Sequence, residues 1–216
     1  MLGDRIPTTI LSMRILPNAD PALLEKLGAG EGERSLGLFT TDCDDVGYAA
    51  LDEATKKAGV RVVYARSMYA GSSNASTRLA GEFIGILAGP DPAQVRAGLE
   101  AVESCIAEDA AFYSADDENS IVYFAHCISR TGTYLSERAG VPEGTAMAYL
   151  IAPPLEATVA LDAALKAADV NLKVYYGPPS ETNFAGALLT GEQAACRAAC
   201  EAFAAEVCRV AEKPFL

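Results

Sequence analysis

An internal repeat constrains this 216-residue chain more than any other feature. The stretch LDEATKKAGVRVVYAR, which begins at Leu51, is matched by LDAALKAADVNLKVYY, which begins at Leu161. Further along, AQVRAGLEA at 93–101 is matched by AACRAACEA at 194–202. Repeated sequence units adopt related structures, so the chain is predicted to contain two related domains.

The segments around these matches are also of the same kind in both copies. Each copy is predicted to run strand, short helix, strand, helix, strand, strand, helix. This order is typical of an α/β (α+β) layer fold, in which helices cover a sheet. The polar stretch SADDENS, which begins at Ser114, shows no apolar period. We place the domain boundary there and assign the two domains to 1–113 and 114–216.

The last predicted helix of each copy carries a single apolar seam. Its members are Val95, Leu99, Val102 and Ile106 in the first copy, and Cys196, Cys200, Phe203 and Val207 in the second. Cys196 and Cys200 therefore stand where the first copy has Val95 and Leu99. Two cysteines at this spacing could hold a metal ion. Since the other copy fills these positions with aliphatic residues, we interpret both cysteines as small core residues.

Charge and composition exclude several classes of partner. The formal net charge of −12 argues against a nucleic acid or an anionic membrane surface, because little basic charge is available to neutralise phosphates. The first residues lack the pattern of a secretion signal, and no apolar run is long enough to cross a bilayer. The six cysteines are therefore expected to be reduced thiols in the cytoplasm.

Motifs for catalysis are missing from the sequence. The single histidine, His126, precedes Cys127, but Arg130 follows too soon for a cysteine-phosphatase loop. The glycine-rich stretch at 28–35 lacks GxGxxG spacing and precedes a predicted strand instead of a helix. We therefore expect no enzyme activity, no catalytic residue and no metal site.

The most unusual polar stretch is TTDCDDVGYAALDE at 40–53. It partly matches a calcium loop, but Val46 occupies a ligand position, so calcium is not favoured. Two interpretations remain open. Either Asp44 or Asp45 caps the following helix and complements its dipole, or the surplus charge forms a site for a cation or an ammonium group. The second copy has Pro154 and Leu155 at the aligned places, so the fold does not require acids there.

Long stretches of the chain resemble one family of proteins. They are SLGLFTTDCDDVGYAALDEATKKAGVRVVYARSMYAGSSNASTRLAGEFIGILAGP, SRTGTYLS, AMAYLIAPPLEATVALDAALKAADV and PPSETNFAGALLTGEQAACRAAC. Over about 8–214, the chain resembles the EutL family of ethanolamine-utilization microcompartment shell proteins. The resemblance implies two tandem, circularly permuted bacterial microcompartment domains, each a sheet covered by helices.

The same resemblance implies an assembly. Three chains would form a homotrimer with pseudo-sixfold symmetry, and these tiles would pack with other shell proteins into a two-dimensional sheet. The sheet would enclose a microcompartment in the cytoplasm. A gated central pore would carry metabolites or a cofactor. Ethanolamine is implied as a ligand that favours the closed pore, and cobalamin as a ligand of some members, with no cofactor required.

The family's small pore, which binds ethanolamine, indicates a set of candidate residues. Carboxylates and aromatic ring faces suit an ammonium group, and a polar neighbour suits the hydroxyl. The two aromatic candidates, Tyr69 and Phe112, are expected outside regular elements. The loops at 66–81 and 177–186 are expected to form the gate. The assigned site residues are Asp44, Asp45, Tyr69, Glu82, Phe112, Thr182 and Asn183.

Two other functions stay open at the level of the sequence. One is an α/β enzyme acting on an amine or a phosphate. The absence of a recognisable nucleophile and base from the sequence argues against it. The other is a free cytoplasmic sensor that binds a small molecule. A trimer that forms sheets would distinguish the shell tile from this sensor.

Overall fold

The predicted order of strands and helices is present in both copies. A computed structural model describes residues 1–68, 76–178 and 180–215. The chain begins with the short strand β1 (Arg5–Ile6). The first copy follows as β2 (Ile10–Leu16), α1 (Pro21–Lys26), β3 (Ser35–Thr41), α2 (Asp44–Lys57), β4 (Arg61–Ser67), β5 (Phe83–Gly89) and α3 (Pro92–Ser104), and α3 continues into a π-helical turn over Cys105–Asp109.

The second copy has the same series of elements after one additional short strand. These are β6 (Phe112–Ser114), β7 (Val122–Ile128), α4 (Thr133–Ala139), β8 (Met147–Ala152), α5 (Pro154–Ala167), β9 (Val170–Tyr176), β10 (Ala185–Gly191) and α6 (Gln193–Glu212). Across the described parts of the chain, no helix combines the length and the apolarity needed to span a membrane.

The contacts within the chain define two compact units. The N-terminal unit consists of Thr8–Ala110 together with Gly132–Leu135. The C-terminal unit consists of Met1–Pro7, Ala111–Thr131 and the chain from Ser136 onward. The domain boundary between residues 113 and 114 stays a prediction, since a compact unit need not coincide with one sequence repeat.

The N-terminal unit is built on a four-stranded antiparallel sheet with the order β2-β3-β5-β4. In the central strand β3, Leu38 pairs with Arg14 on one side and with Ile86 on the other. Helices α2 and α3 pack on β3 and β5. Fully buried side chains such as Phe83 and Val95 fill the layer between helices and sheet, and this burial is the main stabilising contribution to the unit.

The C-terminal unit contains a six-stranded sheet with the order β1-β6-β7-β8-β10-β9. Its last four strands, β7-β8-β10-β9, follow the same order as β2-β3-β5-β4. Helices α5 and α6 pack on this sheet as α2 and α3 do on the other. The sequence repeat is therefore also a repeat of topology, and the predicted α/β fold with two related domains is confirmed.

The two predicted helix seams form the cores of the units. All eight seam residues are buried. Cys196 and Cys200 lie in one apolar cluster with Leu150 and Leu189. Over the ranges that the structure describes, no group of three histidine, cysteine or acidic residues could hold a metal ion. The interpretation of Cys196 and Cys200 as core residues is confirmed.

The strands β1 and β6 were not predicted. Ile6 pairs with Phe112, and Tyr113 pairs with Tyr123, so β6 joins β1 to the rest of the sheet. The expectation that Phe112 lies outside regular elements is therefore wrong. Strands of two or three residues are too short to show an alternating pattern, and only their partners reveal them.

Candidate functional site

The acidic stretch at 40–53 forms the loop after β3 and most of α2. Asp42 fixes the loop to the start of β2. Its carboxylate accepts a hydrogen bond from the backbone N–H of Thr9 at 2.7 Å, and its own N–H donates to the Thr9 carbonyl at 3.2 Å. The hydroxyl of Thr41 donates to the Cys43 carbonyl at 2.7 Å. These bonds hold the beginning of α2 at one end of the sheet.

Asp44 and Asp45 lie inside the first turn of α2. Cys43 occupies the cap position and makes no capping hydrogen bond with its side chain. The interpretation of Asp44 or Asp45 as the cap is therefore wrong, although both carboxylates complement the positive end of the helix dipole. Asp44 accepts a hydrogen bond from the Asp45 N–H at 2.9 Å, and the two residues are only 7% and 6% exposed.

Glu82 lies at the same end of the sheet. Its backbone N–H donates to the Thr41 carbonyl at 2.9 Å, and its carbonyl accepts from the N–H of Met68 at 2.8 Å. The next residue, Phe83, pairs with Thr41 in the β3–β5 ladder. Because Thr41 lies only a few residues before the start of α2, the backbone of Glu82 lies at the end of the sheet from which Asp44 and Asp45 follow.

A close contact fixes the first turn of α2 against β5. A Cβ atom at Gly47 would lie 2.5 Å from the ring of Phe83, so only glycine allows this approach. The next residue, Tyr48, contacts the same ring edge-on, with centroids 4.7 Å apart, and its hydroxyl is 2.9 Å from that of Ser67. The first turn of α2, which contains Asp44 and Asp45, is therefore packed closely against Phe83. Glu82 directly precedes Phe83 in the chain.

This end of the sheet contains three acidic residues, Asp44, Asp45 and Glu82. Burial, together with the nearby charges of Asp45 and Asp44, raises the pKa of the Cys43 thiol well above its usual value. The thiol is therefore neutral at physiological pH and does not offset the acidic charge. A group that binds here with complementary charge is a cation, and an ammonium group also supplies the N–H donors that carboxylates accept.

The remaining predicted site residues belong to the C-terminal unit or lie outside the description. Phe112 is 7% exposed and packs between Phe124 and Phe184, with ring centroids 5.3 and 5.8 Å away. Thr182 and Asn183 lie in the turn before β10, where Asn183 has a φ of 64°. Tyr69 lies outside the described residues, as do 69–75 of the predicted gate loop 66–81 and residue 179 of the loop 177–186.

One important buried carboxylate was missed by the reading of the sequence. Asp52 is fully buried and accepts hydrogen bonds from the backbone N–H groups of Gly132 at 2.7 Å and Leu135 at 2.9 Å. Its repeat counterpart, Asp162, is exposed and pairs with Lys166. The two positions carry the same residue in similar helices, so no local signal distinguishes them.

Comparison with known proteins identifies the family. The family described as "BMC domain" matches residues 35–115. A bacterial microcompartment shell protein EutL from Clostridium perfringens is 60% identical over 99% of this chain and 99% of its own length. The chain belongs to the EutL family of bacterial microcompartment shell proteins. The EutL protein of Salmonella typhimurium is 50% identical over 98% of this chain and 96% of its own length.

Solved structures agree with this membership. The ethanolamine utilization protein EutL from Leptotrichia buccalis superimposes with a TM-score of 0.98 at 61% identity, and the match covers all of both chains. A trimeric microcompartment shell protein, PduB, superimposes with a TM-score of 0.77 at 20% identity over 94% of this chain and 89% of its own. This second likeness shows the shared fold alone.

Family membership establishes the general role of the chain. It is a structural shell protein of a bacterial microcompartment in ethanolamine utilization, and its place is the microcompartment shell. The EutL family is structural and not catalytic, so the expectation that the chain is no enzyme is confirmed. Like other shell proteins of this family, it assembles into oligomeric shell tiles.

Proposed function

We propose that three copies of the chain form a homotrimeric, pseudo-sixfold tile with a gated central pore for metabolites or a cofactor. The proposal rests on the matching order of the four strands that the two sheets have in common, β2-β3-β5-β4 and β7-β8-β10-β9. A chain that contains two equivalent units can take two neighbouring places in a ring, so three chains mimic a ring of six. The tiles pack with other shell proteins into a two-dimensional sheet. The two tandem domains are 1–113 and 114–216.

Ethanolamine is the proposed small-molecule ligand of the tile. Its ammonium group is held by the carboxylates of Asp44, Asp45 and Glu82, which share one end of the sheet in the N-terminal unit. Charge-assisted hydrogen bonds to carboxylates are among the strongest that proteins make. The low exposure of Asp44 and Asp45 strengthens these bonds, because little water screens the charges.

The other candidate residues are proposed as separate contributions. Thr182 and Asn183 supply polar groups for the ligand hydroxyl, and Tyr69 and Phe112 supply ring faces for the ammonium group. Each is tested by its own substitution. The loops 66–81 and 177–186 form the gate, and ethanolamine favours the closed pore by binding the closed state more tightly than the open one. Cobalamin is a second proposed ligand, tested by co-elution of its visible absorbance with the tile.

The assembly itself gives the decisive experiment. Light scattering behind a size-exclusion column should give the mass of three chains of 22.6 kDa each. Electron microscopy of concentrated protein should then show flat sheets with a hexagonal lattice. A particle of one or two chains that never forms sheets would contradict the tile and favour a free sensor protein.

A further inference from the structure

One face of α2 is covered by a short segment of the chain within the N-terminal unit. The carboxylate of Asp52 accepts hydrogen bonds from the N–H groups of Gly132 and Leu135. The hydroxyl of Thr55 accepts from the N–H of Thr133 at 3.1 Å. One turn before Asp52 on α2, the ring of Tyr48 stacks on that of Tyr134. The segment 132–135 therefore closes this face.

The matching face of α5 is open. The repeat places Asp162 where Asp52 lies and Leu165 where Thr55 lies. The Asp52 side chain is 1% exposed, whereas that of Asp162 is 64% exposed. Leu165 is 38% exposed, and Leu155, two turns before Asp162 on α5, is 60% exposed. Nothing in the C-terminal unit covers this apolar stripe among the residues that the structure describes.

The covering segment also has a repeat counterpart, and this counterpart is open too. At an offset of 112 residues, α4 and the residue after it align with α1 and the residues after it. Glu137, Arg138 and Gly140 then align with Glu25, Lys26 and Gly28. This alignment places Leu23 where the covering segment has Leu135. Leu135 is only 1% exposed, whereas Leu23 is 42% exposed.

The orientation of α1 explains the exposure of Leu23. The neighbouring residues Leu24 and Leu27 pack against Leu36 and Ala88 of the same unit. They hold α1 on the sheet, whereas Leu23 is not part of this cluster and stays 42% exposed. The contact between α2 and the segment 132–135 therefore has a counterpart pair of surfaces, on α5 and α1, that do not meet each other among the described residues of the chain.

The exposed surfaces of α1 and α5 also differ from the contact between α2 and 132–135 by a pair of complementary substitutions. In that contact, the N–H of Thr133 donates to the hydroxyl of Thr55. In the exposed surfaces, Pro21 replaces Thr133 and has no N–H, while Leu165 replaces Thr55 and has no hydroxyl. A hydrogen-bonded pair is therefore replaced by an apolar pair, and neither partner would leave a polar group unsatisfied on contact.

We propose that α1 of one copy, through Leu23 and Pro21, docks on the face of α5 formed by Asp162 and Leu165 in a second copy. This inference rests on the proposed tile and assigns residues to one contact between its chains. Each chain offers one α1 and one α5 face. A contact between different surfaces is heterologous, and it closes into a ring when the rotation allows.

The contact between copies is looser than the contact within the chain. A Cβ atom at Gly132 would lie 2.2 Å from the Thr55 hydroxyl and 2.6 Å from the Asp52 carbonyl. The counterpart of Gly132 is Asp20, whose side chain holds the backbone of α1 farther from α5. Side-chain packing of Leu23 therefore contributes more here than backbone hydrogen bonds do.

Sedimentation of the full chain over a range of concentrations tests the contact. Leu23→Glu and Leu165→Glu should each weaken trimer formation by roughly 100-fold or more, because each places a charge in an apolar contact. Leu23→Glu also sets a second carboxylate opposite Asp162. Leu172→Glu, an equal change at a similarly exposed leucine of β9, should leave the trimer intact. Adding Asp162→Lys to Leu23→Glu should restore much of the association, and salt should weaken this rescue.

The outcomes separate this inference from the tile itself. A wild-type chain that is not a trimer contradicts the proposed function. A wild-type trimer that survives both Leu23→Glu and Leu165→Glu contradicts only the assignment to α1 and α5. Failure of Asp162→Lys to rescue Leu23→Glu contradicts the direct pairing of Leu23 with that face. Circular dichroism of each variant must show the wild-type spectrum and a cooperative melting transition, even if that transition moves to a lower temperature when the trimer is lost, so that loss of trimer is distinguished from loss of fold.

Discussion

The carboxylate of Asp52 on α2 accepts a hydrogen bond from the backbone N–H of Leu135, 83 positions later, at 2.9 Å. Its second oxygen accepts from Gly132, so one buried side chain satisfies two backbone donors at the beginning of α4. The ammonium group of Lys56 lies 3.8 Å from this carboxylate. The bonds join distant parts of the sequence within the N-terminal unit.

Removing this carboxylate should destabilise the protein. Asp52→Ala leaves the N–H groups of Gly132 and Leu135 without their acceptor, and we expect the free energy of unfolding to fall by about 2–4 kcal/mol. Urea denaturation at fixed protein concentration measures the change. Glu103→Ala removes a carboxylate from the exposed surface of α3 and should change stability by no more than about 0.5 kcal/mol. Equal effects of the two substitutions would contradict the role of Asp52.

The same carboxylate should make stability depend on pH. Burial raises the pKa of Asp52 from its usual 3.8, against the lowering effect of its two N–H donors. Between 3.8 and the raised pKa, the folded protein keeps a proton that the unfolded chain has lost. Stability therefore falls as pH rises through this window. The amide of Asp52→Asn does not titrate. The free energy of unfolding of the wild type minus that of Asp52→Asn should therefore decrease as pH rises through the same window. A difference that grows with pH would show a lowered pKa instead.

Gly132 should tolerate no side chain. The Cβ atom of Gly132→Ala would lie 2.2 Å from the Thr55 hydroxyl and 2.6 Å from a backbone carbonyl. We expect the free energy of unfolding to fall by about 1–3 kcal/mol, because the backbone must move. Gly177→Ala is the matched control, since its Cβ atom would meet only the ring of Tyr175 at 3.4 Å. Thermal melting of both variants should show a loss for Gly132→Ala alone.

Ethanolamine binding should depend on the carboxylates near the start of α2. The double substitution Asp45→Asn and Glu82→Gln removes two charges and keeps the size of both side chains. We expect affinity measured by calorimetry to fall about 10–100-fold, which is about 1.4–2.8 kcal/mol, because the amide oxygens still accept hydrogen bonds but no longer carry the charges that strengthen them. Undiminished binding would contradict the assignment.

A control variant separates the site from the general acidity of the loop. Asp42→Asn also removes a charge from this stretch, but its amide oxygen still accepts from the Thr9 N–H. Its affinity for ethanolamine should stay within about threefold of the wild type, a change of well under 1 kcal/mol. An equal loss in Asp42→Asn and the double variant would indicate a diffuse electrostatic effect.

The buried cysteines should be chemically inert in the folded protein. Burial raises the pKa of Cys105 to about 12, and it also raises the pKa of Cys200. The thiolate is the reactive form, so neither residue should be alkylated by iodoacetamide at neutral pH. Mass spectrometry of peptides should find both modified only after denaturation. Rapid modification of Cys200 in the native protein would contradict its place in the core.

Several features of the fold followed from local pattern. The repeat at Leu51 and Leu161 predicted two units of one topology, and the equal strand orders agree with it. The seam containing Cys196 and Cys200 predicted their burial. These predictions succeed because the period of apolar residues records which face of an element is buried, and that face is set by nearby residues.

The short strands and the turn that follows them show where local pattern ends. The stretch SADDENS looks like a polar link, yet Ser114 of β6 pairs with Val122 of β7. The Asp116 carboxylate accepts hydrogen bonds from the N–H groups of Ser120 and Ile121, at 2.8 and 3.0 Å. Polar residues that bond to their own backbone carry no apolar period, so composition alone cannot distinguish such a turn from an extended linker.

The sequence by itself determined the repeat, the order of the elements, the faces that form the cores and, through its resemblance to the EutL family, the shell role. Tertiary structure alone decided which repeated positions are covered. Asp52 and Asp162 are the same residue at the same place in two similar helices, yet one is buried and the other open to solvent. Pairing of β3 with β5 likewise places Glu82 at the end of the sheet where α2 begins with Asp44. The reason is that period and propensity act over a few residues, whereas the partner of a surface depends on contacts between segments that are distant in the chain.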